Sequence, residues 1–471
     1  MRKKFNSIFP FVPTEDQERA IDSLLKYTES SMGNQLFVLR GYAGTGKTTL
    51  ISSYIKLLHE LEVNYFLMAP TGRAAKVLSG YCGFQALTIH KSIYVQTSVE
   101  GKLHFALQKN KLSNAVFIVD EASMIGNVGG MGGSFNSVDR TLLDDIISFV
   151  YSGKNCKLIL IGDDAQLPPV NSNLSPALDL DYLKIRYPLL VHLIELKEVT
   201  RQSLDSGILK NATRLRGMIE QEVASYPVFN LEDHKDVYKP LGAEIEESLS
   251  SCYSQDGLES TIIVCRSNKQ ANSYNNYIRF NVLFLEDQIS SGDLLMVVKN
   301  NYYWLSEYDL EGFIANGDVI EILRVNSLED KYGFRFANVT IRFTSEDRGD
   351  IELKILLDAL SSEVSSLTRE QNNSLYEKIA ESYSYIKDRR NRLKEIKKDA
   401  YFNALQVKFS YAITCHKSQG GQWKNVFVDQ GYLTEEMIDK EYLRWLYTAI
   451  TRAQESLYLL NFHDRFFELE D

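Results

Sequence analysis

The apolar positions of the first 200 residues fall into short continuous runs separated by periodic stretches. Runs at 35–40, 64–69, 115–119 and 157–162 predict strands buried on both faces. Between the first two, residues 48–61 place Leu50, Ile51, Tyr54, Leu57, Leu58 and Leu61 on one helical face. Strand and helix alternate in this way along the segment, which predicts a parallel α/β sheet. Two segments break the rhythm. Residues 92–111 carry two alternating runs around Glu100-Gly101, the pattern of a β-hairpin. Residues 126–134, GNVGGMGGS, hold five glycines and read as a loop or linker.

A second α/β pattern begins near Ser260 with TIIVC and resumes after about residue 405 with KFSYAIT and NVFVD. Between its halves lie a β-rich stretch, 293–343, and a polar stretch, 351–401, that reads as helical. Residues 387–398 carry seven basic and two acidic side chains, a local charge of +5. This order predicts an insertion inside a second α/β domain.

Composition changes the picture only in part. Lys plus Arg is 52 and Asp plus Glu is 62, so the 471-residue chain carries −10. That balance argues against a basic protein that coats nucleic acid, but leaves room for a basic groove on an acidic body. A hydrophobic share of 44% with 24% charged residues excludes wholesale disorder. The apolar runs are far shorter than the roughly 20 residues of a membrane span. Pro10 and Pro13 interrupt the apolar N-terminus, so no signal peptide is expected. Five scattered cysteines without a C-x-x-C pair fit a reducing compartment and no metal site. A cytoplasmic protein without membrane attachment is expected.

The chemistry starts at Gly41-Tyr-Ala-Gly-Thr-Gly46-Lys47-Thr48, which matches G-x-x-x-x-G-K-[ST] between a strand and a helix. Gly41, Ala43, Gly44, Thr45, Gly46, Lys47, Thr48 and Thr49 are the expected phosphate cradle. Glycines let main-chain N–H groups turn toward phosphate oxygens, and the helix start adds positive potential. Lys47 is expected at the β- and γ-phosphates, with Thr48 on Mg²⁺. Asp120 and Glu121 end the apolar strand of VDEAS. Asp120 is expected to bind Mg²⁺, and Glu121 to polarise the attacking water. Gln166, in IGDDAQLPPV, is placed to hydrogen-bond a γ-phosphate. Arg201 and Arg452 are candidates for stabilising transition-state charge.

Eleven segments, in this order, resemble the RecD/Dda-like branch of superfamily 1B helicases. They are Thr14-Glu-Asp-Gln17, GYAGTGKT, Ala69-Pro-Thr-Gly-Arg-Ala-Ala-Lys76, Thr88-Ile-His90-Lys91-Ser92, VDEAS, IGDDAQLPPV, EVTRQ, Ile263-Val-Cys-Arg-Ser-Asn268, Asn316-Gly-Asp318, Thr414-Cys-His416-Lys-Ser418-Gln419-Gly420 and YTAITRA. The resemblance implies two RecA-like P-loop domains, parallel sheets flanked by helices, with ATP at their interface. Each domain carries a small insertion, a β-hairpin pin in the first and an SH3-like β subdomain plus helices in the second. The expected layout is a first domain at 1–85 and 112–200 with its pin at 86–111. A second domain at 201–290 and 406–471 holds its insertion at 291–405.

Residue by residue, the resemblance implies that Gln17 reads adenine, although Thr14-x-x-Gln17 is also a capping box. Pro70, Thr71, His90 and Ser92 correspond to strand contacts of the first domain. Asn268, Thr414, His416 and Ser418 correspond to those of the second. Gln419 and Gly420 correspond to the nucleotide side of the same motif. Phe105, on the return strand of the hairpin, is a candidate wedge against the first base pair, and Trp423 a second stacking candidate. The implied activity is ATP-dependent unwinding of duplex DNA by 5′→3′ travel on a single strand. Single-stranded and forked DNA are the expected partners, together with replication or repair proteins, and a monomer is expected. A DNA-stimulated NTPase that displaces proteins, or an RNA translocase, would carry the same motifs.

Overall fold

The computed structural model describes residues 1–99, 102–127, 140–170, 172–200, 206–223, 225–231, 235–308, 313–344, 348–364 and 366–467, with side chains of 96–105 and of residue 306 left aside. Six parallel strands form the first sheet, in the order Ala86–Thr88, Tyr65–Ala69, Val116–Val119, Lys157–Gly162, Gln35–Gly41 and Leu190–Leu196. Helices on both faces make its strands apolar throughout, so four of the six show as uninterrupted runs in the sequence. Ala86–Thr88 and Leu190–Leu196 close the two edges and are too short or too exposed to show the same signal.

The first sheet is tied to its helices by polar groups as well as by packing. Buried Lys157 donates to the carbonyls of Thr28 (2.7 Å) and Ser30 (2.6 Å), closing the end of the helix Glu15–Glu29. These are the carbonyls a helix C-terminus leaves without partners. At the other end of that helix, Thr14 and Gln17 form a full capping box.

The second sheet is again all parallel, in the order Ala412–Thr414, Thr261–Cys265, Trp423–Asp429, Ala453–Leu460 and Val237–Tyr238. A closed five-stranded barrel stands between its first two neighbours in sequence: Leu294–Val297, Val319–Lys331, Phe334–Phe343, Ile351–Leu356 and Leu405–Phe409. The polar stretch expected to be helical from residue 351 therefore begins with a barrel strand. Ile351, Leu353 and Ile355 point into the barrel core, a period-two pattern that the neighbouring charges obscure. The helices Arg369–Ser382 and Arg389–Lys398 follow it. KFSYAIT, which reads as one strand, is divided between the barrel (Leu405–Phe409) and the second sheet (Ala412–Thr414).

A buried ion pair joins the helical turn Ile278–Val282 to the start of the barrel. Arg279 donates to both carboxylate oxygens of Asp293 (2.8 and 3.0 Å), and Tyr411 Oη adds a third bond at 3.1 Å. The hairpin pairs Tyr94–Val99 with Lys102–Leu107 in antiparallel register, with Phe105 opposite Gln96. What the Phe105 ring touches lies outside the described residues. So do Arg201 and residues 128–139 of the glycine-rich segment.

Candidate functional site

The sheets face each other across a cleft of about 490 Å³ lined by Gly44, Gly46, Lys47, Thr48, Asp120, Glu121, Gln166 and Arg452. Gly44 and Gly46 both have φ near +77°, the left-handed conformation that lets the loop between strand and helix fold over its own amides. The helix Lys47–Glu60 starts directly at the loop. Lys47 Nζ donates to the carbonyls of Gly41 and Tyr42 and lies 4.0 Å from Asp163 Oδ2. Thr45 is fully buried and Thr49 is the third residue of the helix; neither lines the cleft. Gln17 braces the loop: its Nε2 donates to Thr45 O at 2.9 Å while its Oε1 accepts from Thr14 N. Thr200 also lines the cleft and donates its N–H to Gly44 O at 3.0 Å, just before Arg201.

Asp120 and Glu121 sit where the strand Val116–Val119 ends. Glu121 has φ +52°, a strained value for a side chain of its size, and its N–H donates to Asp120 Oδ1 at 2.9 Å. Burial first, and the Glu121 charge second, push the Asp120 carboxyl up to about 7. A divalent cation beside it would reverse that effect. The donor set, a carboxylate and the Thr48 hydroxyl, is the hard-oxygen chemistry that Mg²⁺ prefers, and few protein ligands suffice where phosphates complete the shell. Gln166 Oε1 is buried in the same cleft without a hydrogen-bond partner among the described residues, as expected of a group held for a polar ligand.

The second domain reaches into this cleft through the helix Lys440–Ile450 and the turn after it. Arg452, 3% exposed, comes within 3.9 Å of Glu121 Oε1 and is held by the carbonyls of Thr448 and Gly421. Tyr447 accepts from Ala43 N (2.8 Å) and donates to Asp163 Oδ2 (2.7 Å). Burial raises both the Tyr447 phenol and the Asp163 carboxyl. The next residue takes hold of the Gln166 segment. Leu167 N donates to Thr448 Oγ1 (2.7 Å), and Leu167 O accepts from Gln419 Nε2 (2.6 Å). Sequence reasoning assigned no role to Tyr447 or Thr448. Both lie in YTAITRA, Thr448 one helical turn and Tyr447 five residues before Arg452, and that proximity was the signal available.

A second cleft, of about 600 Å³, lies on the opposite side of Gln419. Pro70, Thr71 and His90 line it from the first domain, and His416 and Lys417 from the second. Burial lowers the His90 imidazole; the surrounding protein also lowers His416, although that ring stays exposed at the rim. The barrel supplies the third wall through Lys299, Asn300, Tyr302, Phe313 and Asn316. Tyr302 and Phe313 stand with ring centroids 4.8 Å apart. These residues were not assigned a role from sequence, because the antiparallel bridge between Asn301 and Ile314 that brings the two segments together carries no sequence pattern.

Six expected contacts sit elsewhere. Ser92 donates to Thr88 O at 3.0 Å, inside its own short helix. Ser418 is fully buried and donates to Cys415 O at 2.7 Å. Asn268 opens the helix Asn268–Tyr277 and Thr414 precedes Cys415–Ser418, both off the lining of this cleft. Trp423 is 4% exposed, with the Arg73 guanidinium 4.5 Å over its ring, so that face is already covered. Gly420, with φ +71°, abuts Ala74 and Thr71 of the first domain instead of lining the nucleotide cleft; a Cβ there would meet Ala74 Cβ at 2.6 Å.

Comparison with known proteins adds independent evidence. Residues 13–227 match the AAA domain family, and residues 409–460 match the UvrD-like helicase C-terminal domain. Uncharacterized protein R530 of Acanthamoeba polyphaga mimivirus is 25% identical over 94% of this chain and 98% of its own length. The ATP-dependent DNA helicase dda of Enterobacteria phage T4 is 24% identical over 95% and 96%. The ATP-dependent RecD2 DNA helicase of Deinococcus radiodurans is 24% identical over 94% of this chain, which spans 48% of that protein. No helix of the described residues is long and apolar enough to cross a membrane. The two matched regions carry the phosphate loop and the arginine helix that meet across the first cleft, and the chain is similar over nearly its whole length to RecD2 and Dda, relatives named as ATP-dependent DNA helicases.

Proposed function

We propose that this protein is an ATP-dependent DNA helicase that travels 5′→3′ on a single strand and opens the duplex ahead of it. The observation that carries the reading is Leu167. Its N–H and C=O are both held by the second domain, one beside Arg452 and the other by the residue that follows the His416 cleft. A change in the distance between the domains at the nucleotide therefore moves the walls of the second cleft.

In this reading ATP lies between Lys47 and Arg452. Lys47 leaves the loop carbonyls for the β- and γ-phosphates, Gln166 Nε2 donates to the γ-phosphate, and Gln166 Oε1 accepts from the attacking water. Thr48 and Asp120 would hold Mg²⁺, which supplies charge neutralisation on the phosphates. Glu121 orients and polarises the attacking water, and Arg452, with Arg201, stabilises charge on the transferred phosphoryl group. The contacts of Tyr447 and Thr448 with the first domain hold the closed arrangement; release after hydrolysis lets them part, a hinge motion. The strand is gripped between His90 and His416 with Tyr302 and Phe313 as stacking faces. The hairpin at Tyr94–Leu107, with Phe105, is the wedge. The 5′→3′ direction rests on the resemblance to RecD- and Dda-like helicases alone.

ATP hydrolysis measured with and without single-stranded DNA tests the reading. Stimulation by DNA in the wild type, and its loss in Lys47→Ala, is the expected result. Equal stimulation by single-stranded RNA would assign the protein to RNA instead.

A further inference from the structure

We propose that the helix Arg389–Lys398 is a docking strip for the phosphate backbone of double-stranded DNA, the arm ahead of the strand in the cleft. The proposal rests on the DNA-helicase reading above and adds a second DNA contact to it.

The segment 387–398 carries +5 on a chain of −10. None of its seven basic side chains takes part in an ion pair among the described residues, although acidic residues outnumber basic ones across the protein. Asp388, one of its two acids, is used as the helix cap, accepting from Asn391 N at 2.7 Å. Ile396 is buried against the barrel helices and orients the helix. Arg390, Lys394 and Lys397 follow at i, i+4 and i+7, one stripe along a face away from Ile396. A helix of ten residues is about 15 Å long, and duplex DNA presents about nine phosphate charges over that length.

The position of the helix adds a second observation. Asn403 Nδ2 donates to Lys397 O (2.7 Å) and Asp399 O (2.9 Å), closing the helix C-terminus. The Asn403 carbonyl in turn accepts from Asn301 Nδ2 (2.7 Å) and Trp304 Nε1 (2.8 Å). Asn301 lies between Asn300 and Tyr302, which line the strand cleft. The basic stripe is thus bonded to the wall of the cleft and moves with it. Residues 389–398 include no aromatic side chain, and the exposed Tyr385 lies before the helix cap. A surface of cations without stacking faces fits a duplex, whose bases are turned inward, better than a single strand.

The triple variant Arg390→Gln, Lys394→Gln, Lys397→Gln tests the strip, with binding followed by fluorescence anisotropy across a salt series. The probes are a flapless tailed duplex, a fork with a displaced strand, and the tail alone. The expected result is weaker binding of both duplex probes, with the slope of log K against log salt shallower by about 2.7, from three lost phosphate contacts. Binding of the tail alone and DNA-stimulated ATPase stay at wild-type values. An equal loss on the tail alone, a loss confined to the displaced strand, or no change on any probe would each overturn the proposal. The side chains are exposed or at the helix edge, and a matching melting temperature checks the fold. The single variant Lys394→Gln, expected to lower the slope by about 0.9, keeps the test open if the triple variant does not fold. Failure of the helicase reading itself shows separately, as wild-type ATPase indifferent to DNA.

Discussion

Tyr447 Oη lies 2.7 Å from Asp163 Oδ2, so a residue of one domain completes the hydrogen bonding of a buried carboxylate in the other. The same oxygen accepts the Ala43 amide of the phosphate loop. Tyr447→Phe keeps the ring and removes only that oxygen. Each buried group left without its partner costs about 1–3 kcal/mol. We expect DNA-stimulated kcat to fall about 5- to 100-fold with a smaller change in KM for ATP. A steady-state ATPase titration checks this; a change in KM alone would make Tyr447 a nucleotide-binding residue instead.

Glu121 and Lys47 separate chemistry from binding. Glu121→Gln is expected to lower hydrolysis about 10²- to 10⁴-fold while a fluorescent ATP analogue still binds. Lys47→Ala is expected to weaken both. Hydrolysis persisting in Glu121→Gln would assign the water-polarising role to another residue.

Asp120 sets a pH dependence. Its carboxyl stands near 7, raised by burial and then by Glu121, against 3.8 for the ordinary group. Below that pH the carboxyl is protonated and cannot hold Mg²⁺, so hydrolysis is expected to rise from about pH 6 to pH 8. Raising the Mg²⁺ concentration should move the midpoint to lower pH, because the cation binds the ionised form. The stability effect has the opposite sign. Between about 4 and 7 the folded state binds the extra proton, so without nucleotide the melting temperature should fall as pH rises through that window. A melting series with and without Mg²⁺-ATP reads both.

Arg279 and Asp293 tie the helical turn Ile278–Val282 to the start of the barrel. Asp293→Ala leaves a buried guanidinium without its partner and is expected to destabilise the fold by about 3–5 kcal/mol, read by chemical denaturation. Replacing both residues by apolar side chains should cost much less.

The residues that line the first cleft were readable because local backbone carries them. The phosphate loop needs its glycines in sequence, and Asp120-Glu121 needs only the end of an apolar strand. Tyr447, Thr448 and Leu167 were not readable, because their meaning lies in contacts between residues about 280 apart. Trp423 shows the reverse: an aromatic next to glycines suggested an open platform, yet it opens a central parallel strand, where both faces are covered. Ile351–Leu356 was obscured by Glu352 and Lys354. Lys354 is nearly buried and donates to Glu329 Oε2 at 3.1 Å, so a charged residue fills a position that pattern reading assigns to solvent.

The wedge has its own test. Phe105→Ala is expected to reduce strand separation several-fold while leaving DNA-stimulated ATPase intact. Unchanged unwinding would remove the hairpin from the mechanism.

Strand separation of forked DNA bearing either a 5′ or a 3′ single-stranded tail tests the central claim most directly. ATP-dependent unwinding from the 5′ tail and none from the 3′ tail is the expected result. Unwinding only from the 3′ tail, or ATPase stimulated by both forks with neither opened, would contradict it.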